Sequence, residues 1–244
     1  MSTKPTMVLV PGAWSTPSFY SSLQSLLVNR GFQVLVTQHA STGAEPPTKT
    51  LNDDVSCLRA TLRELCDAGN DVLVLAHSYG GIVSSVAVEG LEKPLRQAHG
   101  KKGGVIMITY MVAFVIPPGL SLVQASGGQL MPWIKDEGGY AYNTIGPDGA
   151  FNDLAASEQE HWMKQLTHAS TPVFYGAASH EPWRVIPTAY ILAEEDRLLP
   201  LVIQEHMVET LGTTRTYRLQ SSHHPFLSMP GKVVDIVDEL CSGH

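Results

Sequence analysis

Residues 71–88 constrain the fold of this chain more than any other part of its sequence. An apolar run, Asp71-Val72-Leu73-Val74-Leu75, leads into Ala76-His77-Ser78-Tyr79-Gly80, and a second apolar stretch begins at Gly81. This order predicts a buried strand, a tight turn and a helix. Small residues two positions before and after Ser78 let the chain reverse sharply there, which is typical of a nucleophile elbow. A serine that merely caps the helix is the alternative, but a cap does not require Ala76 and Gly80 on its flanks.

Apolar strands and amphipathic helices alternate along most of the chain. Strands are predicted at residues 7–10, 32–36, 71–75, 105–108, 189–192 and 216–219. Helices are predicted from Pro17, over the helically spaced leucines between Leu51 and Leu65, after Gly80, and from Pro230. Continuous apolar strands between such helices indicate a parallel sheet covered on both faces. We therefore predict an α/β fold with a doubly wound, mostly parallel sheet of about six strands.

One segment departs from this alternation. Residues 114–185 are rich in glycine, proline and aromatic side chains, and their best helical pattern lies near residues 157–166. Binding sites in open α/β sheets lie at the carboxyl ends of the strands. We predict one domain, with a core formed by residues 1–113 and 186–244 and a lid insertion at residues 114–185.

Acidic residues and histidines follow the two last predicted strands. A serine hydroxyl becomes a good nucleophile when a histidine accepts its proton and a carboxylate orients that histidine. In such folds the chain order is serine, acid, histidine, and Ser78, Asp196 and the doublet His223-His224 match it. Glu194 and Glu195 compete with Asp196 for the role of acid. His77 is expected to pack beneath the elbow.

The remaining site predictions concern the oxyanion and the substrate. The Tyr79 N–H follows the serine directly and is the first predicted oxyanion donor. The loop after the first strand reads Pro11-Gly12-Ala13-Trp14, and we predict the Ala13 N–H as the second donor, with the Trp14 N–H as alternative. A plain Pro-Gly turn is the simpler interpretation. Predicted substrate-binding residues are Gly12, Trp14, Trp133 and Trp183, although most lid aromatics can equally form lid core.

Composition excludes several classes of partner. The net charge is −7 and no basic run exceeds Lys101-Lys102, so neither nucleic acid nor an anionic membrane is an expected partner. The histidine doublet has no HExxH-like companion, and we expect no metal and no cofactor. Three cysteines cannot all pair. We predict a cytoplasmic protein without signal peptide or transmembrane segment, and leave a homodimer open.

Four motifs in register give the chain a family resemblance. They are Val10-Pro11-Gly12-Ala13-Trp14, Ala76-His77-Ser78-Tyr79-Gly80-Gly81, the segment from Tyr190 through Asp196 to Pro200, and His223-His224-Pro225-Phe226-Leu227-Ser228. Together they resemble the small α/β-hydrolases, in particular the plant methylesterases and hydroxynitrile lyases and their fungal and bacterial relatives. The resemblance implies the α/β-hydrolase fold, with His223 as the base and Asp196 as the acid. Pro11 departs from the family, which usually has histidine there.

The residues and the resemblance imply an enzyme. We expect a serine hydrolase that cleaves a carboxylic ester or lactone of a small apolar or aromatic metabolite through an acyl-enzyme. A lyase or cyclase that reuses the triad as a general base is the alternative, and a non-catalytic ligand-binding relative is a third interpretation. Lyases of the resembling family carry threonine and lysine where this chain has Gly12 and His224, which favours acyl transfer.

Overall fold

The computed structural model describes residues 4–242 and contains nine strands in that range. They are β1 (Thr6–Val10), β2 (Val34–Val36), β3 (Asp71–His77), β4 (Gly104–Met111), β5 (Ile134–Glu137), β6 (Tyr140–Asn143), β7 (Ala169–Ser170), β8 (Thr188–Ala193) and β9 (Thr216–Leu219). Six of them form one sheet in the order β2-β1-β3-β4-β8-β9, and every neighbouring pair is parallel. The predicted α/β-hydrolase fold is therefore confirmed.

Helices cover the sheet. They are α1 (Ser21–Asn29), α2 (Leu51–Asp67), α3 (Gly80–Ala87), α4 (Lys93–Ala98), α5 (Leu122–Ala125), α6 (Pro147–Ala150), α7 (Ala156–Gln165), α8 (Leu201–Leu211), α9 (Pro225–Ser228) and α10 (Pro230–Ser242). Right-handed crossovers put α1 on one face and α2, α3 and α8 on the other. Helix α1 packs against α10, and α2 against α3. No helix within residues 4–242 is long and apolar enough to cross a membrane.

The strand order places a crevice between β1 and β3. The chain leaves β1 towards β2 on one side, and leaves β3 towards β4 on the other. Loops after these two strands therefore diverge, which is where open α/β sheets bind ligands. Gly12 and Ser78 lie in those two loops, Gly12 two residues after Val10 and Ser78 directly after His77.

The chain between β4 and β8 contains a small antiparallel sheet that the sequence analysis did not predict. Its strand order is β5-β6-β7. Strand β5 buries only Ile134 and exposes the rest of its residues, so it lacks the apolar run by which the core strands were recognised. The sheet is tied to the loop after β1, because the Trp14 indole Nε1–H donates to the Ala141 carbonyl at 2.8 Å.

Candidate active site

The turn after β3 has the strained geometry of a nucleophile elbow. Ser78 has a φ of +51°, a left-handed conformation that costs a non-glycine residue free energy. Glycine is required at the first helical position, because a Cβ on Gly80 would lie 2.4 Å from the Pro11 carbonyl oxygen. The close approach of α3 to β1 thus holds Ser78 at the crevice, with only 6% of its surface exposed.

Three predicted residues meet in one hydrogen-bonded chain. His223 Nδ1 lies 2.7 Å from Asp196 Oδ2, and His223 Nε2 lies 3.0 Å from Ser78 Oγ. Because a carboxylate only accepts, the ring carries its proton on Nδ1 and its Nε2 lone pair faces the serine hydroxyl. All three residues are buried. The arrangement can move the Ser78 proton to His223 when the oxygen attacks an electrophile.

Asp196, and not a neighbouring glutamate, faces the histidine. Its Oδ1 accepts the Leu198 and Leu199 amides at 2.7 and 3.0 Å, which leaves Oδ2 for the imidazole. Glu194 pairs instead with Arg218, and Glu195 is exposed. The turn after β8 therefore presents one carboxylate to the site.

The second histidine of the doublet points away from Ser78. His224 Nδ1 donates to the Ala150 carbonyl at 3.0 Å, and its ring stacks on Phe151 at 4.5 Å. Burial, with a smaller contribution from the neighbouring His223, holds the pKa of His224 well below its ordinary value. His224 is therefore neutral near pH 7 and supplies no positive charge.

Two amides in the loops after β1 and β3 are unpaired. The Ala13 and Tyr79 N–H groups have no hydrogen-bond partner among residues 4–242. The loop that carries Ala13 is fixed on both sides, since the Pro11 carbonyl accepts from His39 at 2.8 Å and the Gly12 N–H donates to Tyr20 at 3.1 Å. A Cβ on Gly12 would lie 3.0 Å from the Ser78 Cβ, so glycine is needed for this approach.

Buried hydrogen bonds also fix the side chain of Tyr79. Its hydroxyl donates to Asp54 at 2.9 Å, and the same carboxylate accepts from the Ser41 amide and hydroxyl. Asp54 lies on the buried face of α2. The sequence analysis missed Asp54, although a carboxylate among the leucines of that face was the available signal.

Backbone strain concentrates around the site. Trp14, Ser78 and Val112 are the non-glycine residues with positive φ in the described chain, at +66°, +51° and +48°. Each lies just beyond the carboxyl end of a central strand, β1, β3 or β4. Such conformations cost about 1–3 kcal/mol each and occur mostly at functional sites.

An apolar cleft of about 410 Å³ is lined by residues that hydrogen-bond to Ser78 and Asp196, and Phe114, Met131, Trp133, Leu198, Leu199 and Met207 are among its lining residues. One wall of the cleft is hydrogen-bonded to the backbone of Ser78, because the Phe114 amide donates to the Ser78 carbonyl at 3.1 Å. Trp133 lines this cleft, and its role in substrate binding stays a prediction. Its ring also meets that of Trp14 at 5.7 Å.

Trp183 does not line this cleft, and the structure does not bring it together with the other predicted substrate-binding residues. It lines a different cleft with Pro187, Thr188 and Leu211. Thr188 lies at the amino end of β8, whereas Asp196 lies beyond the carboxyl end of the same strand. The chain that precedes β8 lies at the amino end of the sheet, and Trp183 therefore lies at the end opposite to Ser78.

No group of three or more histidine, cysteine, aspartate or glutamate side chains in residues 4–242 is arranged to hold a metal ion. The three cysteines are free.

Comparison with known proteins gives consistent matches over the whole chain. Residues 7–236 match a family described as "Alpha/beta hydrolase family". "Alpha/beta hydrolase nvfD" from Aspergillus novofumigatus is 31% identical over 253 residues, covering 96% of this chain and 95% of the relative.

Solved structures match at lower identity. A pyrethroid hydrolase from Sphingobium faniae superposes with a TM-score of 0.73 at 21% identity, covering 98% of this chain and 97% of the other. Tomato methylketone synthase I, complexed with 2-tridecanone, gives a TM-score of 0.77 at 15% identity and covers 99% of both chains. These two likenesses concern the fold.

Proposed function

This chain belongs to the alpha/beta hydrolase family, and from that premise we propose that it is a serine hydrolase acting on carboxylic esters or lactones. The observation that carries the proposal is the hydrogen-bonded chain from Ser78 Oγ through His223 to Asp196, with contacts of 3.0 and 2.7 Å. Nucleophilic acyl transfer needs this order of groups.

In the proposed first step, Ser78 Oγ attacks the carbonyl carbon and His223 Nε2 takes its proton. Asp196 orients the ring and stabilises the imidazolium that forms. The unpaired Ala13 and Tyr79 amides are the proposed donors to the negative oxygen of the tetrahedral intermediate. Collapse of that intermediate expels the alcohol, which receives the proton from His223, and leaves an acyl group on Ser78.

In the second step, water attacks the acyl-enzyme. His223, again neutral, accepts a proton from that water and returns it to Ser78 as the carboxylic acid leaves. The cycle balances without any group beyond the chain's own residues and water, and we propose no cofactor.

The cleft next to the triad supports an apolar substrate. Phe114, Trp133 and Leu198 present hydrocarbon surface there, and burial of such surface contributes about 25 cal/mol per Å². We therefore propose a small apolar or aromatic ester or lactone. We propose neither nucleic acid nor a membrane as partner, because the chain has a net charge of −7.

The test compares the wild type with Ser78→Ala. A fluorophosphonate probe should label the wild type at Ser78, and the wild type should release alcohol from a panel of short apolar esters and lactones. Ser78→Ala should lose labelling and several orders of magnitude in kcat. Ser84→Ala removes another buried serine hydroxyl, which has no partner, and should keep both activities.

Reaction type separates this proposal from a lyase. Neutral His224 is poorly suited to stabilise a departing anion, which supports acyl transfer. We expect a burst of alcohol release wherever deacylation is the slower step, and negligible cyanohydrin cleavage. Carbon–carbon cleavage with no turnover of any ester or lactone would contradict the proposal and favour the lyase or cyclase instead.

A further inference from the structure

His77 directly precedes the nucleophile but takes no part in the Ser78–His223–Asp196 chain. Its side chain is 1% exposed. One ring nitrogen, Nδ1, lies 2.9 Å from the Tyr20 hydroxyl, and the other, Nε2, lies 2.8 Å from the backbone carbonyl oxygen of His223. The residue next to the nucleophile is thus bonded to the main chain of the proposed base.

The partners of His77 determine where its proton lies. A carbonyl oxygen only accepts, so Nε2 carries the hydrogen and donates to His223. Nδ1 is then the acceptor, and the Tyr20 hydroxyl donates to it. The oxygen of Tyr20 in turn accepts the Gly12 N–H at 3.1 Å. One directed chain of hydrogen bonds therefore runs from Gly12 through Tyr20 and His77 to His223.

Burial keeps this chain in a single protonation state. It lowers the pKa of His77 well below the ordinary value of 6.5. Burial also raises the pKa of the Tyr20 hydroxyl above its ordinary range. A neutral imidazole and a protonated phenol are therefore present throughout the neutral pH range, and every donor in the chain has an acceptor.

Aromatic packing holds the two rings in place. Tyr20 stacks on Phe226 with centroids 4.3 Å apart, and His77 meets the same ring edge-on at 4.9 Å. Phe226 belongs to the segment that starts with His223. Gly12 completes the fit, because a Cβ there would lie 2.8 Å from His77 Nδ1.

We propose that Tyr20 and His77 are positioning residues that set the distance between the oxyanion loop, Ser78 and His223. Asp196 fixes the ring of His223, whereas His77 fixes its main chain relative to the nucleophile. Tyr20 fixes Gly12, the residue before the proposed donor Ala13. This inference rests on the proposed function, since the distance matters when an acyl group is bound between these elements.

The first test is Tyr20→Phe, which retains the ring stacked on Phe226 and removes only the hydroxyl. Displacing catalytic groups by about 1 Å can cost on the order of 10²-fold in rate. With p-nitrophenyl butyrate in stopped flow, we expect the acylation rate per titrated site to fall about 10- to 100-fold. We expect the substrate dissociation constant, taken from the concentration dependence of the acylation rate, to change less than about two-fold, because neither Tyr20 nor His77 lines the apolar cleft.

Tyr110→Phe is the matched control. Tyr110 is a fully buried tyrosine whose hydroxyl bonds to Ser85 at 2.9 Å, outside the chain through His77. The Tyr110→Phe protein should lose stability as the Tyr20→Phe protein does, and it should keep the wild-type acylation rate. Equal acylation rates for Tyr20→Phe and the wild type would overturn the proposal.

Two substitutions of His77 each keep one of its two hydrogen bonds and remove the other. In His77→Gln the side-chain amide can still donate towards the His223 carbonyl, and in His77→Asn the side-chain oxygen can still accept from Tyr20. If His77 acts by holding His223, His77→Gln should keep more of the acylation rate than His77→Asn. The reverse order would contradict that role, and the pair decides the question if Tyr20→Phe fails to fold.

A spectroscopic readout is independent of activity. Nitrogen-15 spectra of histidine-labelled protein should show His77 as the neutral Nε2–H tautomer in the wild type, and Tyr20→Phe should change that signal while Tyr110→Phe leaves it. An Nδ1–H tautomer in the wild type would overturn the chain of hydrogen bonds. If the wild type neither labels nor acylates, the proposed function fails, whereas the spectra still decide whether the hydrogen-bond chain exists.

Discussion

At the scale of single residues, the site depends on which partner satisfies each polar atom. Asp196 accepts from two amides and from the His223 ring, and each oxygen is committed. His223 in turn has its ring held by Asp196 and its carbonyl held by His77. Few of these atoms can be replaced without leaving a buried group unpaired, and each such loss costs about 1–3 kcal/mol.

Asp196→Asn should lower kcat/KM for esters by about 10³- to 10⁴-fold, because an amide can donate to His223 and stabilise the wrong tautomer. Steady-state kinetics with p-nitrophenyl butyrate measures the effect. Glu195→Gln changes an exposed neighbour and should stay within about two-fold of the wild type. Comparable losses in the two variants would contradict the assignment of the acid.

Buried histidines predict acid sensitivity. Burial lowers the pKa of His77 and His224 in the folded protein well below 6.5, so below about pH 6.5 the unfolded chain binds protons that the folded protein does not. The free energy of unfolding should therefore fall with decreasing pH below about 6.5, by up to about 1.4 kcal/mol per pH unit for each histidine. Above about pH 7.5 this contribution should be constant.

His224→Asn tests this sensitivity, because the side-chain amide can still donate to the Ala150 carbonyl. Urea titrations between pH 7.5 and 5 should give a shallower loss of stability than in the wild type. His206→Asn changes an exposed histidine whose side chain is 72% accessible and should leave the slope unchanged. A slope as steep in His224→Asn as in the wild type would contradict the buried-histidine explanation.

At the scale of elements, the elbow depends on how closely α3 approaches the end of β1. Gly80 and Gly81 face backbone carbonyl oxygens, those of Pro11 and Phe114, each at 2.4 Å from a hypothetical Cβ. Neither strand can retreat, since β1 and β4 both pair with β3. The elbow is therefore a packing constraint among three strands as well as a local turn.

Gly80→Ala should destabilise the protein by about 1–3 kcal/mol, because the added methyl group meets backbone atoms and not a flexible side chain. Equilibrium urea unfolding measures the change. Gly231→Ala adds the same methyl group in α10, where nothing lies within 4 Å, and should stabilise by about 0.5–1 kcal/mol. Gly80→Ala with wild-type stability would contradict the close packing of the elbow.

At the scale of the whole molecule, one tryptophan connects the β5-β6-β7 sheet with the loop after β1. Trp14 donates to Ala141 of β6, stacks on Phe174 at 5.6 Å, and accepts the Thr167 amide at 3.1 Å through its carbonyl. The position of the β5-β6-β7 sheet and that of the proposed donor Ala13 are therefore linked, because Trp14 directly follows Ala13 in the chain.

Trp14→Phe should destabilise the β5-β6-β7 sheet more than the six-stranded sheet. Ala141 is fully buried, and its carbonyl would lose its hydrogen-bond donor. Hydrogen exchange should accelerate at residues 134–143 and change little in β3. Tyr175→Phe alters a residue that is 56% exposed. It should leave hydrogen exchange at residues 134–143 and in β3 as in the wild type. Uniform acceleration across β3 and β6 would indicate global destabilisation instead.

The sequence by itself determined the fold class, because an apolar run or a helical repeat is a local pattern that specifies an element wherever it lies. All six core strands were predicted from such runs, although β2 is shorter and β4 longer than expected. The chain order of Ser78, Asp196 and His223 predicted which residues would meet, and their roles in catalysis stay predictions. The antiparallel β5-β6-β7 sheet was missed, because its short strands contain no continuous apolar run.

Only the tertiary structure decided distances between residues far apart in the chain. Packing of the strand ends placed Asp196 and not Glu194 against His223, turned His224 towards Ala150, and carried Trp183 to the amino end of the sheet. The bonds of His77 to Tyr20 and to His223 span 57 and 146 positions. No local pattern encodes such contacts, since each depends on how independently folded elements pack around the same crevice.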